Sequence, residues 1–261
     1  MDLMLKGKRV LITGASQGIG EGLAEVFAEE GCDLHLVARQ VERMQALATR
    51  LNERFGVDVK VQGTDFTQPG SVEQIAAEAG DIDILVNNAG AIPAGNIWQV
   101  DAEAWRRGWD VKVMGYIDMT RIFYARMKTQ GHGVILNNIG NGGENFDARY
   151  IAGSTGNAAL MAFTRAIGGP SLDDNIRVIG INPGPVATDR IIKVLKLRAR
   201  EQFGDESRYE ELMANYPMGR VAKVREIADL FAFLASERSG YTSGTIITVD
   251  GGITSRRSIG G

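Results

Sequence analysis

Thr13-Gly14-Ala15-Ser16-Gln17-Gly18-Ile19-Gly20 is a glycine-rich turn set between two different apolar patterns. Before it, Val10-Leu11-Ile12 is a continuous apolar run, as a buried strand requires. After it, residues 21–30 are amphipathic, as a surface helix requires. Strand, glycine turn and helix together form a seat for a dinucleotide pyrophosphate. The glycines let the backbone turn tightly and approach the ligand, and the helix N-terminus offers free N–H groups and a positive dipole end. A plain strand-to-helix turn can carry the same letters, so the motif gains force from what surrounds it.

The pattern that begins there continues along the chain. Strand-like runs occur at 9–13, 33–38, 57–63, 82–87, 134–138, 176–182 and 245–249. Helix-period stretches fall between them, at 18–30, 41–55, 71–79, 102–130, 156–167 and 225–234. Such alternation predicts βαβ units, and hence an α/β fold: a single-domain, Rossmann-like, doubly wound sheet of seven mainly parallel strands flanked by helices. One domain over 1–261 is expected, with ligands beyond the carboxyl ends of the strands. Two segments break the alternation. Residues 139–153 are rich in Gly and Asn and read as a loop, and 188–220 is a long charged excursion of the kind that forms a lid. Within the excursion, 190–200 reads as an amphipathic helix with Arg190, Lys193, Lys196, Arg198 and Arg200. Those cations suit either a lid over an acidic or phosphate-bearing substrate or a solvated face; the second reading is preferred.

Composition narrows the function classes. Of 261 residues, 44% are hydrophobic and 23% charged, ordinary for a globular protein with a full core. A formal net charge of −3 argues against a nucleic-acid binder. The single cysteine, Cys32, excludes an intrachain disulfide framework. Two histidines and one cysteine suggest no metal site. His132 reads as a turn residue and His35 as structural. No signal core or membrane-length apolar run is present, so a cytoplasmic protein acting on a small molecule, without membrane or nucleic-acid partners, is expected.

Four further motifs sit where a bound dinucleotide would need them. Asp65 ends the third strand, Asn87-Asn88-Ala89-Gly90 closes the fourth, Asn182-Pro183-Gly184-Pro185-Val186-Ala187-Thr188 closes the sixth, and Asp250-Gly251-Gly252 follows the last. In order and spacing the chain from about 6 to 252 resembles the short-chain dehydrogenase/reductase family. The resemblance implies that Gly14, Ser16, Gln17, Gly18, Ile19 and Gly20 hold the pyrophosphate. It implies that Asp65 contacts adenine, with Phe66 beside it, and that Asn88, Ala89 and Gly90 line the adenine side. Pro183, Gly184, Val186 and Thr188 would lie near the nicotinamide carboxamide. Asn87 and Asp250 have an alternative reading as residues that tie loops together. A homotetramer, or a homodimer, is also implied.

Cofactor choice is read at the end of the second strand. An NAD site wants a carboxylate there for the ribose 2′-OH. Here the end reads Val37-Ala38-Arg39, and Asp33 lies at the wrong end. Arg39 suits a 2′-phosphate, so NADP(H) is expected over NAD(H). Stacking on adenine, or capping the next helix, is the alternative role for Arg39.

The proton-transfer half departs from the family pattern. Members usually carry a serine, a tyrosine acid/base, a lysine four residues later, and an asparagine on the fourth helix. Two anchors, the helix from Asn157 and the strand ending in Asn137-Asn138, agree on the counting. They put Gly140 at the serine, Gly153 at the tyrosine, Asn157 at the lysine and Lys112 at the asparagine. Lysine and asparagine thus look exchanged between positions that face each other across the pocket. Tyr150 precedes Gly153 by three residues. If the helix begins early, the two share a face, ~4.5 Å apart along its axis, and the phenol can reach the vacated space. A relocated site of Tyr150, Lys112 and Asn157 is one expectation. The other makes Tyr150 a packing aromatic and Lys112 a neutralising cation. Glu144, in the adjoining loop, is an acid/base candidate if buried and a solvated or capping residue otherwise. Trp98, Trp105 and Trp109 line a pocket or pack a helix.

The reading that follows is an NADP(H)-dependent oxidoreductase of this type, acting on a carbonyl or alcohol with a non-standard arrangement. A catalytically silent NADP(H)-binding scaffold or sensor, and a lyase or isomerase reusing the pocket, are the alternatives.

Overall fold

The computed structural model describes residues 1–256, so residues 257–261 of the expected domain lie outside the described residues. Seven strands form one sheet: β1 (Arg9–Thr13), β2 (Asp33–Ala38), β3 (Val59–Gly63), β4 (Ile84–Asn87), β5 (Gly133–Asn138), β6 (Ile176–Pro183) and β7 (Ile246–Val249). Their order is β3-β2-β1-β4-β5-β6-β7, and every neighbouring pair is parallel. The strand order reverses between β1 and β4. That reversal opens a crevice at the carboxyl edge of the sheet, where ligands of open α/β sheets bind.

Both faces of the sheet are covered, which explains why its strands read as apolar runs rather than alternations. Successive residues of β1 point to opposite sides. Val10 and Ile12 enter one core with α1 (Gly18–Glu29), α2 (Val41–Phe55) and α8 (Val224–Ala235). Leu11 enters the other, with α3 (Ser71–Ala79) and α5 (Gly115–Gln130). No described helix is long and apolar enough to cross a membrane.

Several boundaries differ from the sequence pattern, and two of them shape the crevice. The stretch expected as one helix is α4 (Ala102–Trp109), a π-helical turn at Asp110–Met114, and then α5. A π turn inserts one residue and re-aims the side chains it carries, here Lys112. The helix expected from 156 begins five residues earlier, as α6 (Ile151–Gly168), so the end of the expected loop is helical. Gly153 and Gly156 are poor helix formers and hide this start; packing overrides their propensity. At their amino ends β3 and β4 begin two residues later than their apolar runs. The charged excursion is α7 (Asp189–Phe203) followed by 3-10 turns at Glu206–Asn215 and Pro217–Gly219.

Candidate active site

The glycine turn sits where β1 meets α1. A Cβ on Gly20 would stand 2.2 Å from Gly14 O, so only glycine permits the turn to close against the helix. Gly14 has φ +67°, and a Cβ there would press on the Ala89 backbone at 2.8 Å. Gln17 is the N-cap of α1 and makes no side-chain cap bond, so the first-turn N–H groups stay available to an anion. Ser16, Gly18 and Ile19 line the same cleft.

Asn88 is spent on the protein rather than left for a ligand. Its amide donates to Thr13 O at 2.9 Å and Gly14 O at 3.1 Å, and its Oδ1 accepts from Asn138 Nδ2 at 2.6 Å. It pins the ends of β1, β4 and β5 together. Asn87, fully buried, bonds Thr120 Oγ1 and Asn137 Oδ1, and Asp250 accepts from Gly252, Thr254 and Asn141. Asp250 therefore ties loops together, whereas Asn87 links β4 to α5 and β5.

At the far end of the cleft, Arg39 lies exposed after β2 and Gln40 is the N-cap of α2, so Arg39 does not cap that helix. Arg43, one helical turn on, donates to Gln17 Oε1 at 3.0 Å and supplies a second guanidinium beside the glycine turn. Sequence reading missed Arg43; its signal is the four-residue spacing from Arg39. Asp65 accepts from Thr67 N and Oγ1, and these bonds hold its carboxyl below the usual range, helped by Arg39. Phe66 lines the cleft and packs its ring toward Gly115. Gly90 lies along the Lys112 side chain.

Toward the centre of the sheet edge, Gly184 N donates to Val249 O, and a Cβ on Gly184 would meet Asp250 at 2.7 Å. Pro183, Val186 and Thr188 line the cleft, and the Thr188 methyl stands opposite Gly18. The cleft spans about 1120 Å³. Typical small-ligand sites hold ~300–1,000 Å³, so a dinucleotide and a second small molecule fit together.

The proton-transfer side brings together Lys112, Tyr150, Asn157 and an arginine the sequence did not single out for this place. Gly140 has φ +112°, so a serine at that position would be strained in this loop. Lys112 Nζ donates to Ile139 O at 2.5 Å, and Asn157 Nδ2 donates to the next carbonyl, Gly140 O, at 3.3 Å. The two side chains meet one loop from different helical segments. Asn157 is 3% exposed, and its Oδ1 has no hydrogen-bond partner in the structure. A buried acceptor left open in a cleft fits a ribose hydroxyl.

Tyr150 is the N-cap of α6, and its ring lies over Gly153. A Cβ built on Gly153 would fall 2.0 Å from the ring's Cε1 and Cζ. The Tyr150 ring thus occupies the volume that a side chain at 153 would need. Its hydroxyl is met by Arg190 rather than Lys112. Arg190 Nη2 lies 3.5 Å from Tyr150 Oη, and the guanidinium sits 5.7 Å from the ring centroid. Arg190 belongs to the first turn of α7 and also donates to Ile92 O at 3.4 Å. In sequence it looked like one member of a surface charge run.

Burial, and then the facing charge of Arg190, bring the Lys112 amine down from 10.5 to about 7. An unfolded chain keeps that proton up to ~10.4. Between these values the unfolded state binds the extra proton, so stability rises with pH from about 7 to ~10 and is lost as pH falls. Lys112→Met removes this dependence. The variant is expected to gain on the wild type as pH is lowered from ~10 to ~7, read as denaturant midpoints. A difference that stays constant across the range would contradict the assignment.

Other candidates stand away from this chemistry. Glu144 accepts from Thr248 Oγ1 at 2.8 Å and is held against β7. His132 contacts Asp83 at 3.0 Å, and His35 is buried in β2. Trp105 and Trp109 pack with centroids 6.5 Å apart, and Trp109 donates to Ala152 O, whereas Trp98 is exposed. Among the described residues no group of three metal-ligating side chains occurs.

Comparison with known proteins finds relatives along nearly the whole chain. The family described as enoyl-(acyl carrier protein) reductase matches residues 14–254. Oxidoreductase UcpA of Salmonella typhimurium is 35% identical over 262 residues, covering 98% of this chain and 97% of that protein. L-sorbose reductase from Gluconobacter frateurii, solved with NADPH and L-sorbose, superposes with a TM-score of 0.92 at 35% identity, covering 98% of this chain and all of that one (100%). A 7 alpha-hydroxysteroid dehydrogenase solved with NADH superposes with a TM-score of 0.86 at 27% identity, covering 96% of each chain.

Proposed function

The chain belongs to the short-chain dehydrogenase/reductase family, and on that premise we propose that it is an NADP(H)-dependent oxidoreductase interconverting a carbonyl and an alcohol, with Tyr150 as its proton donor. One observation carries the reading. The Tyr150 ring fills the space in front of Gly153 and lines the same cleft as the glycine turn, Lys112 and Asn157.

Bound NADPH would supply the hydride. The chain's residues do the rest. The first turn of α1 receives the pyrophosphate, and the open Asn157 Oδ1 accepts from a ribose hydroxyl. Arg39 and Arg43 receive the 2′-phosphate. Tyr150 Oη gives its proton to the substrate oxygen. The Arg190 guanidinium, 3.5 Å away, favours the phenolate left behind. Lys112 holds the Ile139 carbonyl and adds positive charge near the reacting oxygen. The homotetramer or homodimer remains part of this proposal, as do a cytoplasmic setting and a lid role for the α7 region.

The NADPH structure of the sorbose reductase supports NADP(H) here, together with Arg39 and Arg43; the NADH complex of the steroid dehydrogenase marks the alternative. The silent-module reading draws on Gly140 and Gly153, which have no side chain to move a proton. Arg39→Ala is expected to weaken NADPH binding by roughly 10- to 100-fold and NADH binding by little, since hydrogen bonds to charged groups contribute about 1.5–3 kcal/mol. Fluorescence titration of both cofactors checks this, and equal NADPH affinity in the two proteins would refute the role. Turnover is tested by following NADPH absorbance against a panel of ketones, aldehydes and alcohols. Tight NADPH binding without turnover on any of them would favour the silent module.

A further inference from the structure

Beyond the cofactor, the substrate side of the cleft carries positive charge without matching acids. Arg190 and Lys112 both line it, and both bond only neutral oxygens. Lys112 meets the Ile139 carbonyl, and Arg190 meets the Ile92 carbonyl and the Tyr150 hydroxyl at the long distances of 3.4 and 3.5 Å. Among the described residues no carboxylate lies within ion-pair distance, 4.0 Å, of either one. Two acids border this region. Asp147 is paired with Arg149, and Asp189 makes no pair with its neighbour Arg190. Arg198, about two turns further along α7, also opens on the cleft, and its charge acts on Asp147.

We infer that the substrate itself is an anion, a carbonyl compound or alcohol bearing a carboxylate or phosphate group, which Arg190 binds through its free guanidinium donors while Lys112 faces it. This rests on the proposed oxidoreductase reading and names its substrate class. The physical case is one of positive charge without a partner. Arg190 is exposed at the cleft, and repulsion from its charge adds to burial in lowering the Lys112 amine to about 7. An anion between them removes that repulsion and restores the lysine's proton. Arg190 has five N–H donors in a planar fork, and its two present bonds are weak, so a bidentate carboxylate or phosphate contact costs the protein little. The location favours a substrate anion over the cofactor phosphates. Arg190 lies against the Tyr150 ring, at the reacting end, whereas the pyrophosphate seat is the first turn of α1.

The test compares three probes sharing one carbon chain: D-gluconate, D-glucitol 6-phosphate and neutral D-glucitol. Each is titrated into the protein saturated with NADPH and into cofactor-free protein, read by tryptophan and NADPH fluorescence. At least one anionic probe is expected to bind tenfold or more tighter than glucitol, and which one binds distinguishes carboxylate from phosphate. Arg190→Met is expected to remove that preference by roughly 10- to 100-fold, with Arg190→Lys restoring part of it, while NADPH affinity stays within about twofold. No preference for either anion at millimolar concentrations, or a preference that survives Arg190→Met, would overturn the inference. So would loss of NADPH affinity in Arg190→Met, which would make Arg190 a cofactor ligand. Failure of the wild type to bind NADPH would refute the cofactor reading instead, and the cofactor-free titrations would still decide the anion question.

Discussion

Tyr150→Phe is expected to lower turnover by about 10²–10⁴-fold, the range that a positioned general acid contributes. The change keeps the ring that packs over Gly153 and removes only the hydroxyl that meets Arg190. Folding and NADPH affinity should therefore stay close to wild type. The rate loss should appear in kcat rather than in substrate affinity, because proton donation matters in the transition state. Comparison of kcat and KM for the two proteins on any accepted substrate checks this. Equal turnover would return Tyr150 to the role of a packing aromatic and leave solvent or Lys112 to supply the proton.

Arg177→Ala is expected to cost about 3–5 kcal/mol of stability, through a different part of the molecule. Arg177 is 7% exposed within β6. Its Nη1 donates to Leu234 O at 2.5 Å and Ser239 Oγ at 2.8 Å, and its Nη2 donates to Ala235 O at 2.8 Å and Ser236 O at 3.0 Å. Leu234 and Ala235 are the last residues of α8, whose final carbonyls have no partner within the helix. The guanidinium satisfies them and sits at the negative end of the helix dipole. No carboxylate pairs with Arg177 among the described residues, so these carbonyls are what keep its charge tolerable in the core. Truncation leaves several buried acceptors unpaired at once. Thermal unfolding should show a fall in Tm of roughly 6–20 °C. A shift of only a degree or two would mean that water or a neighbouring side chain fills the site.

The parts of the molecule that follow simple periodicity were legible in the sequence. Val10-Leu11-Ile12 and the glycine turn give β1 and α1, because buried parallel strands are apolar throughout and the turn needs glycine where Gly14 and Gly20 touch. Features that depend on contacts between distant segments were not. The start of α6 is hidden by Gly153 and Gly156, whose absent side chains are what admit Tyr150 and let Val113 and Trp109 approach. The π turn holding Lys112 leaves no mark in the pattern, because one inserted residue barely shifts a helical period. Arg177 carries no signal in the apolar run of β6, because its partners are the last carbonyls of α8, distant in sequence. Arg190 reads as surface charge until α7 turns its first residues toward Tyr150. Tyr150, Lys112 and Asn157 line one cleft. The cation at the phenol hydroxyl came from the excursion, a segment whose placement is set by tertiary packing alone.

Crystals of the protein with NADP(H) and a substrate or alcohol analogue test the central claim most directly. With the nicotinamide held over the carboxyl edge of β5 and β6, Tyr150 Oη is expected within ~2.6–3.2 Å of the reacting oxygen, with Asn157 Oδ1 on the nicotinamide ribose. A complex in which Tyr150 Oη points away from that oxygen, toward solvent or protein, would contradict the relocated proton donor and with it the proposed catalytic arrangement.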